Sequence, residues 1–425
     1  LIGMDVVDVM FPYGRDERTV PLPRRNLREV IRPPEFTHID DERAAVTASL
    51  HTPISSPPLR ELARGAHSVA IIVSDKTRPV PHRILLPALL EELRAGGILD
   101  GDITIVVALG MHDPMSDEEL AEMLGEDVVS SIRVVNHDCM DESRLTNLGT
   151  TSRGTPLAIT DAVASADLVI STGYIEPHEF AGFTGGRKSV LPGVAGIEAL
   201  KHNHRVEMLD DPRATLGILE GNPIHEDMVE AARTVGVDFI TNVVLDNEAH
   251  ISGIFSGDVV KAHEAGVAYY KEHAGVLRSE RADIVVASVG HPLNRDLYQS
   301  LKAVFATAPF VADGGTIILY TSSSDGMGPA LFRKWMTETD DPSTFSERIV
   351  REGFDPRIDH CYLLQRVMRS VRVCIVSERD ELSSIPFITL YSDIEPALAD
   401  ALDRHGSDAS IIAVPYATRI IPLQE

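Results

Sequence analysis

The 425-residue sequence predicts an α/β protein: two α/β domains with largely parallel sheets and an active-site cleft between them. Three observations predict it. Apolar runs of strand length recur at 68–74 (SVAIIVS), 103–109 (ITIVVAL), 166–171 (ADLVIS) and 238–245 (DFITNVVL), too continuous for strands with one wet face. Segments of helical periodicity, such as 84–93, separate them. A second βα series then begins at Ala282. The expected division is a first, cofactor-binding domain over 1–277, rejoined by the last strand within 410–425, and a second α/β domain over 278–409.

Taken in order, 6–11 (VVDVMF) reads as a strand, followed by a connector rich in proline (Pro21, Pro23, Pro33, Pro34, Pro53, Pro57, Pro58). The run 68–74 ends in Asp75-Lys76-Thr77-Arg78, and 103–109 ends in Gly110-Met111-His112. Ser116 with Glu119 three positions on is a capping box that announces the next helix. A short strand is expected at 133–135, and 166–171 leads into the polar stretch 173–204. The run 259–271 reads as a long connecting helix. Beyond it come a strand at 283–289, a helix at 294–305, and strands at 315–320, 371–377, 387–390 and 410–415.

Composition narrows the function. With 44% apolar and 24% charged residues the chain has material for a substantial core. A net charge of −25 argues against nucleic acid or an anionic membrane as partner, without excluding a local basic pocket. Cys139, Cys361 and Cys374 are scattered and read as buried free thiols, not as a disulfide framework or zinc site. The N-terminal stretch has an acidic Asp5 and no basic region, and no apolar run is long enough to span a bilayer. A cytoplasmic location is the expectation, with no membrane partner; a homo-oligomer is compatible with all of this.

The polar clusters Asp75/Arg78, His112 and His178 each follow an expected strand. In a parallel sheet with right-handed crossovers, strand C-termini share one edge, so these clusters can meet there. Histidine titrates nearest neutral pH, and His112 and His178 suit two-sided acid/base work. The stretch GYIEPHEFAGFTGGRKSVLPGVAGIEALKHNH adds Gly182, Gly185 and Gly186, which permit an anion nest, with Arg187 and Lys188 supplying charge. It is not a P-loop, because Arg187 stands where that motif needs glycine before the lysine. Lys188 suits phosphate binding or a covalent link. Pro192 can open a helix that carries His204, a candidate metal ligand, near its end. Arg78 offers a planar fork for a carboxylate. Tyr298 and Lys302 share a helix face beside Gln299, which by spacing alone is a solvated face. His51, His67, His82 and His360 read as structural. From the residues alone, the chain is an enzyme acting on a small anionic substrate.

SDKTRPVP (74–81), GMHDP (110–114), HEFAGFTGGRKSVLPG (178–193), His204 and LYQSLK (297–302) together resemble the nickel-dependent lactate racemase family, in order and spacing across most of the chain. The resemblance implies a nickel-pincer nucleotide (pyridinium-3,5-bisthiocarboxylic acid mononucleotide nickel) joined to Lys188 through a thioamide, with His204 completing the nickel coordination. It implies that Asp75, Gly185 and Gly186 line the cofactor pocket. Arg78 and Lys302 would grip the substrate carboxylate, with Tyr298 and Gln299 nearby. His112 and His178 would be the acid/base pair of a racemase that inverts C2 of a 2-hydroxy acid by reversible hydride transfer to the cofactor. Cofactor-biosynthesis proteins are then expected partners. Lys76, Met111 and Asp113 depart from the family's lactate enzyme beside the catalytic groups. Lys76 offers a cation to a second carboxylate, as in malate, and Asp113 pulls towards a hydroxylated or uncharged tail. The alternatives are a 2-hydroxy acid dehydrogenase-like oxidoreductase, which wants a G-x-G-x-x-G turn not found here in the right context, and a nucleotide-binding protein without racemase activity, which gives the two histidines no role.

Overall fold

The computed structural model describes residues 5–274 and 280–422. The chain divides into two compact units, one of residues 35–273 and one of residues 1–34 with 274–425.

In the unit of residues 35–273 the strands of the main sheet lie in the order Ile251–Gly257, Val237–Leu245, Leu168–Tyr174, Val69–Ser74, Ile103–Ala108, Arg133–Asn136. All neighbours pair in parallel except Ile251–Gly257, which runs antiparallel at one edge. Val69–Ser74 is buried at every position but the last, as an apolar run covered on both faces must be. The helix His82–Ala95 buries Leu85, Leu86, Leu89 and Leu93 into the same core as Ile71, Val73, Ile105 and Val107. Ser116 and Glu119 form the expected capping box at the start of Asp117–Leu124. The expected strands at 68–74, 103–109, 166–171 and 238–245 are thus four adjacent members of one sheet, and their C-terminal ends share one edge.

The other unit has an all-parallel sheet in the order Thr389–Tyr391, Arg372–Val376, Val311–Tyr320, Ala282–Ala287, Ile411–Val414, Leu27–Val30. This corrects the expected domain composition. Ile411–Val414 does not return to the first domain but lies between Ala282–Ala287 and Leu27–Val30. The N-terminal segment belongs to this unit too. Its hairpin Val6–Tyr13/Asp16–Pro23 buries Val9, Phe11, Val20 and Leu22 in the core with Ile318 and Cys374. Pro21 and Pro23, read as connector, lie in a strand of that two-stranded sheet, where a proline's missing N–H costs little. The helix expected at 294–305 is broken into Leu297–Ser300 and Lys302–Thr307, and that expected at 259–271 runs Lys261–Ala274. Cys139, Cys361 and Cys374 are buried free thiols; burial pushes Cys374 up to about 12 and Cys361 well above its ordinary value. Among the described residues no helix is long and apolar enough to cross a membrane.

Candidate active site

Asp75 and Arg78 leave the end of Val69–Ser74, the strand that lies between the strands leading to His112 and His178. Asp75 is 3% exposed and accepts from the Thr77 backbone N–H at 2.9 Å and the Thr77 hydroxyl at 2.5 Å, a local turn that aims the carboxylate. Its other oxygen is 2.5 Å from His112 Nδ1. Burial pushes the Asp75 carboxyl up, but the His112 hydrogen bond and charge, helped by Arg78 and Thr77, outweigh it and hold the group well below the usual carboxylate range. His112 stands on a turn closed by its own N–H to Leu109 O at 2.9 Å, and the neighbouring Gly110 N–H donates to Gly193 O at 3.0 Å. That bond ties the His112 turn to the glycine-lysine loop. A carboxylate on Nδ1 leaves Nε2 as the His112 nitrogen that can take or give a proton. Below Asp75, buried His82 contacts Ser74 O at 3.1 Å, and burial pushes it down to about 4, consistent with a structural role.

Arg78 is partly buried, with Nη1 donating to the Thr77 hydroxyl at 2.9 Å. Burial pushes its guanidinium down, while Tyr174, Asp75, Glu179 and Glu176 pull it up and prevail. The arginine therefore stays a cation, its charge favoured by nearby acidic side chains. Lys76 is not open to a ligand in the same way, because its ammonium pairs with Glu119, the capping-box residue.

Past Leu168–Tyr174 the chain makes a small hairpin, Pro177–His178 against Gly182–Phe183, which places His178 6% exposed. Its Nδ1 lies 3.3 Å from Glu179 Oε2 and 3.4 Å from the Ala181 N–H. Phe180 ties the stretch together. Its ring centroid is 4.7 Å from that of His178 and 4.9 Å from that of His204, both edge-on, and 5.7 Å from Lys188 Nζ. Three residues singled out from the sequence thus converge on one aromatic ring, itself 4% exposed. Glu179 and Phe180 were not among the expected site residues. The signal for both was adjacency to His178, which the apolar character of Phe180 concealed.

Arg187 does something different from what the sequence suggested. It is 1% exposed and points inward, donating to Ala181 O at 2.7 Å, Phe183 O at 2.8 Å, Gly185 O at 3.0 Å and His225 Nδ1 at 2.8 Å. Burial pushes it down to about 9, which leaves it charged at neutral pH. It is a rivet through the loop rather than part of an anion nest. Gly185 and Gly186, at φ 79° and 53°, owe their identity at least in part to this packing. A Cβ on Gly185 would sit 2.6 Å from Asn242 Oδ1, and one on Gly186 2.9 Å from the His263 ring. The Gly186 N–H donates to Asn242 Oδ1 at 2.7 Å. The helix with His204 begins at Ile197, five residues past Pro192, and His204 is its C-cap, 5% exposed. His202 turns away to Arg153 O at 3.0 Å, so the two histidines do not form a pair of ligands.

In the other unit Tyr298 is held rather than solvated. Its ring stacks on His360 at 4.0 Å and 12°, its hydroxyl donates to Asp359 Oδ1 at 2.8 Å, and His360 Nδ1 meets Tyr298 O at 2.7 Å. His360 therefore keeps its structural reading, as a platform for Tyr298. Lys302 is 8% exposed, and Gln299 Oε1 is buried with no hydrogen-bond partner among the described residues. The solvated-face reading of this helix is set aside.

Residues 13–217 match the family described as "Lactate racemase N-terminal domain" and residues 277–421 that described as "Lactate racemase C-terminal domain". The chain is 34% identical to the lactate racemase of Thermoanaerobacterium thermosaccharolyticum over 424 residues, covering 98% of this chain and 99% of that one. It is 38% identical to the lactate racemase of Lactiplantibacillus plantarum over 385 residues, 89% and 91% of the two chains. The chain belongs to the lactate racemase family. Its structure agrees with that of the T. thermosaccharolyticum lactate racemase apoprotein at a TM-score of 0.92 over 98% of this chain and all of that one, with 34% identity. A Thermotoga maritima protein at 17% identity and a TM-score of 0.71 shares the fold. As a member of the lactate racemase family the chain is an isomerase, a nickel-pincer-nucleotide-dependent racemase of 2-hydroxy acids. The residues present fit that cofactor by donor chemistry: an amine at Lys188 for an acyl link and a buried imidazole at His204 for nickel, brought to one aromatic ring by Phe180.

Proposed function

We propose that His112 and His178 are the acid/base pair and that the substrate is a small 2-hydroxy monocarboxylate, with lactate the first to test. The observation that carries the pair is that each histidine has its Nδ1 beside its own carboxylate, Asp75 at 2.5 Å and Glu179 at 3.3 Å, on strand ends that share one sheet edge. In this reading Nε2 of one histidine takes the hydroxyl proton from one enantiomer, and Nε2 of the other returns a proton to the 2-oxo oxygen once the planar 2-oxo acid presents its opposite face. When bound, the cofactor supplies reversible hydride acceptance from C2. Lys188 and His204 hold it, and Asp75, Gly185 and Gly186 shape its pocket. Arg78 orients the substrate carboxylate by a two-bond fork.

Two features speak against a second carboxylate on the substrate. Lys76, the extra cation, is engaged by Glu119. Asp75, Glu179 and Glu176 already favour the charged form of Arg78, and like charge near it disfavours a dianion. The test is a chiral assay of cofactor-loaded protein against both enantiomers of lactate, malate and a larger hydroxy acid, with His112→Ala and His178→Ala beside the wild type. Racemisation of lactate above malate, lost in both variants, is expected. Malate as the best substrate would overturn the substrate reading. Substantial steady-state racemisation by either variant would overturn the acid/base pair.

A further inference from the structure

A second group of metal-ligating side chains lies in the unit of residues 35–273, with none of the site residues above among its members. His38 is on the segment by which the chain enters this unit. Asp246 and His250 are on the turn that joins Val237–Leu245 to Ile251–Gly257. His38 Nδ1 lies 3.7 Å and His250 Nδ1 3.4 Å from the same Asp246 Oδ2, and the three ligand atoms are all within 4.8 Å of one another. Ligands of a tetrahedral zinc with bonds of about 2.0–2.1 Å stand roughly 3.3 Å apart, so modest rotation of two side chains closes the set.

The frame is built before any ion arrives. Asp246 Oδ1 accepts the backbone N–H groups of Glu248 at 2.8 Å and His250 at 2.9 Å, which turns Oδ2 towards the imidazoles. The turn is tight, with Ala249 at φ 66°. The facing segment is pinned to the hairpin by Ile39 N–H to Ile251 O at 2.8 Å and the Ser252 hydroxyl to Thr37 O at 2.9 Å. Between them is a groove of about 430 Å³ lined by His38, Asp40, Arg43, Ile84 and His250. Asp40, 4.0 Å from His38 Nε2, and Glu248, 3.8 Å from His250 Nδ1, add negative charge on either flank. Both histidines keep about half of their side-chain surface in solvent, so an ion has a way in. Two imidazoles and a carboxylate, with no thiolate, select a divalent first-row ion of borderline softness over calcium or magnesium, which want oxygen alone.

We propose that His38, Asp246 and His250 bind a divalent transition ion of the zinc class, which clips the segment around His38 to the hairpin turn. The probe is zinc, titrated into full-length cofactor-free protein in competition with a chromogenic chelator, with melting followed in parallel. Wild type should take up one more equivalent in the micromolar range than the His38→Gln/His250→Gln double variant, and zinc should raise its melting temperature but not that of the variant. Both replaced side chains are half-exposed, so the variant should melt as wild type does without metal. Asp246→Asn, which keeps an acceptor for the two backbone N–H groups, should weaken the same equivalent at least tenfold. Cobalt should give wild type a d–d absorption of a low-coordinate site in excess of any that the variant shows. Equal stoichiometry and equal zinc response in wild type and the double variant would overturn the site, because any zinc held by the histidines of the active site is common to both.

Discussion

Arg187→Met is the perturbation that best tests how the lysine loop is held. The guanidinium satisfies three backbone carbonyls, those of Ala181, Phe183 and Gly185, and touches His225. Methionine fills similar volume and donates nothing. Each orphaned buried acceptor costs about 1–3 kcal/mol. The guanidinium's own desolvation, which pushes it down to about 9, is relieved by the change and offsets part of that. A net loss of about 3 kcal/mol follows, on the order of 6–12 °C in melting temperature at 2–4 °C per kcal/mol. Because Lys188 is the next residue, cofactor loading measured by intact mass should fall as well, although no atom of the proposed attachment point has changed. Calorimetry of cofactor-free protein separates the two effects. An Arg187→Met protein that melts within a degree or two of wild type would refute the rivet, and the sequence reading of Arg187 as a ligand cation would return.

Asp75→Asn should lower stability by about 2 kcal/mol at pH 7, the scale of a charge-assisted hydrogen bond, kept to the low end because the His112 side chain is 39% exposed. The folded carboxyl titrates below its unfolded value of about 3.9, so its contribution is present above that pH and is lost as pH falls through the folded value; the stabilities of wild type and variant should begin to converge below about pH 4. Lys188→Ala should carry no cofactor adduct when co-expressed with the cofactor pathway, and intact-mass spectrometry showing the wild-type adduct on the variant would remove Lys188 as the attachment point.

The strands that carry the site were legible because buried parallel strands announce themselves locally, as in 68–74 and 103–109. The placement of Asp75, His112 and His178 just past neighbouring strands of one sheet was legible because each follows such a run. What was not legible depended on pairings far apart in sequence. Leu27–Val30 pairs with Ile411–Val414, and no local pattern says so; hence the first 34 residues were placed with the wrong unit. Arg187 was misread because charge ordinarily means exposure, and only the curl of the loop turns three carbonyls towards one side chain. His360 read as bland because its role is exercised on Tyr298, 62 residues away in the chain, and Asp359, which accepts from the same tyrosine 61 residues away, carried no local signal.

The two histidines are not held alike, and this bears on how their roles can be separated. His112 Nδ1 has a short bond to Asp75, whereas His178 Nδ1 faces an acceptor, Glu179 Oε2 at 3.3 Å, and a donor, the Ala181 N–H at 3.4 Å. Glu179 favours a proton on Nδ1 and so a free Nε2 that can act as base; the Ala181 N–H favours the other tautomer, in which Nε2 carries the proton and can act as acid. Glu179→Gln weakens the first preference and leaves the second. Steady-state kinetics cannot show this directly, because the equilibrium constant of a racemisation is one, so kcat/KM must be equal in the two directions for wild type and for every variant. The first half of the reaction is under no such constraint. In a single turnover quenched for 2-oxo acid, Glu179→Gln should slow formation from the enantiomer that uses His178 as base by about tenfold or more, the scale of one charge-assisted contact. Formation from the other enantiomer, for which His112 is the proposed base, should change much less. Equal slowing from both enantiomers would mean that Glu179 serves the pocket as a whole, through Arg78, and not His178 alone.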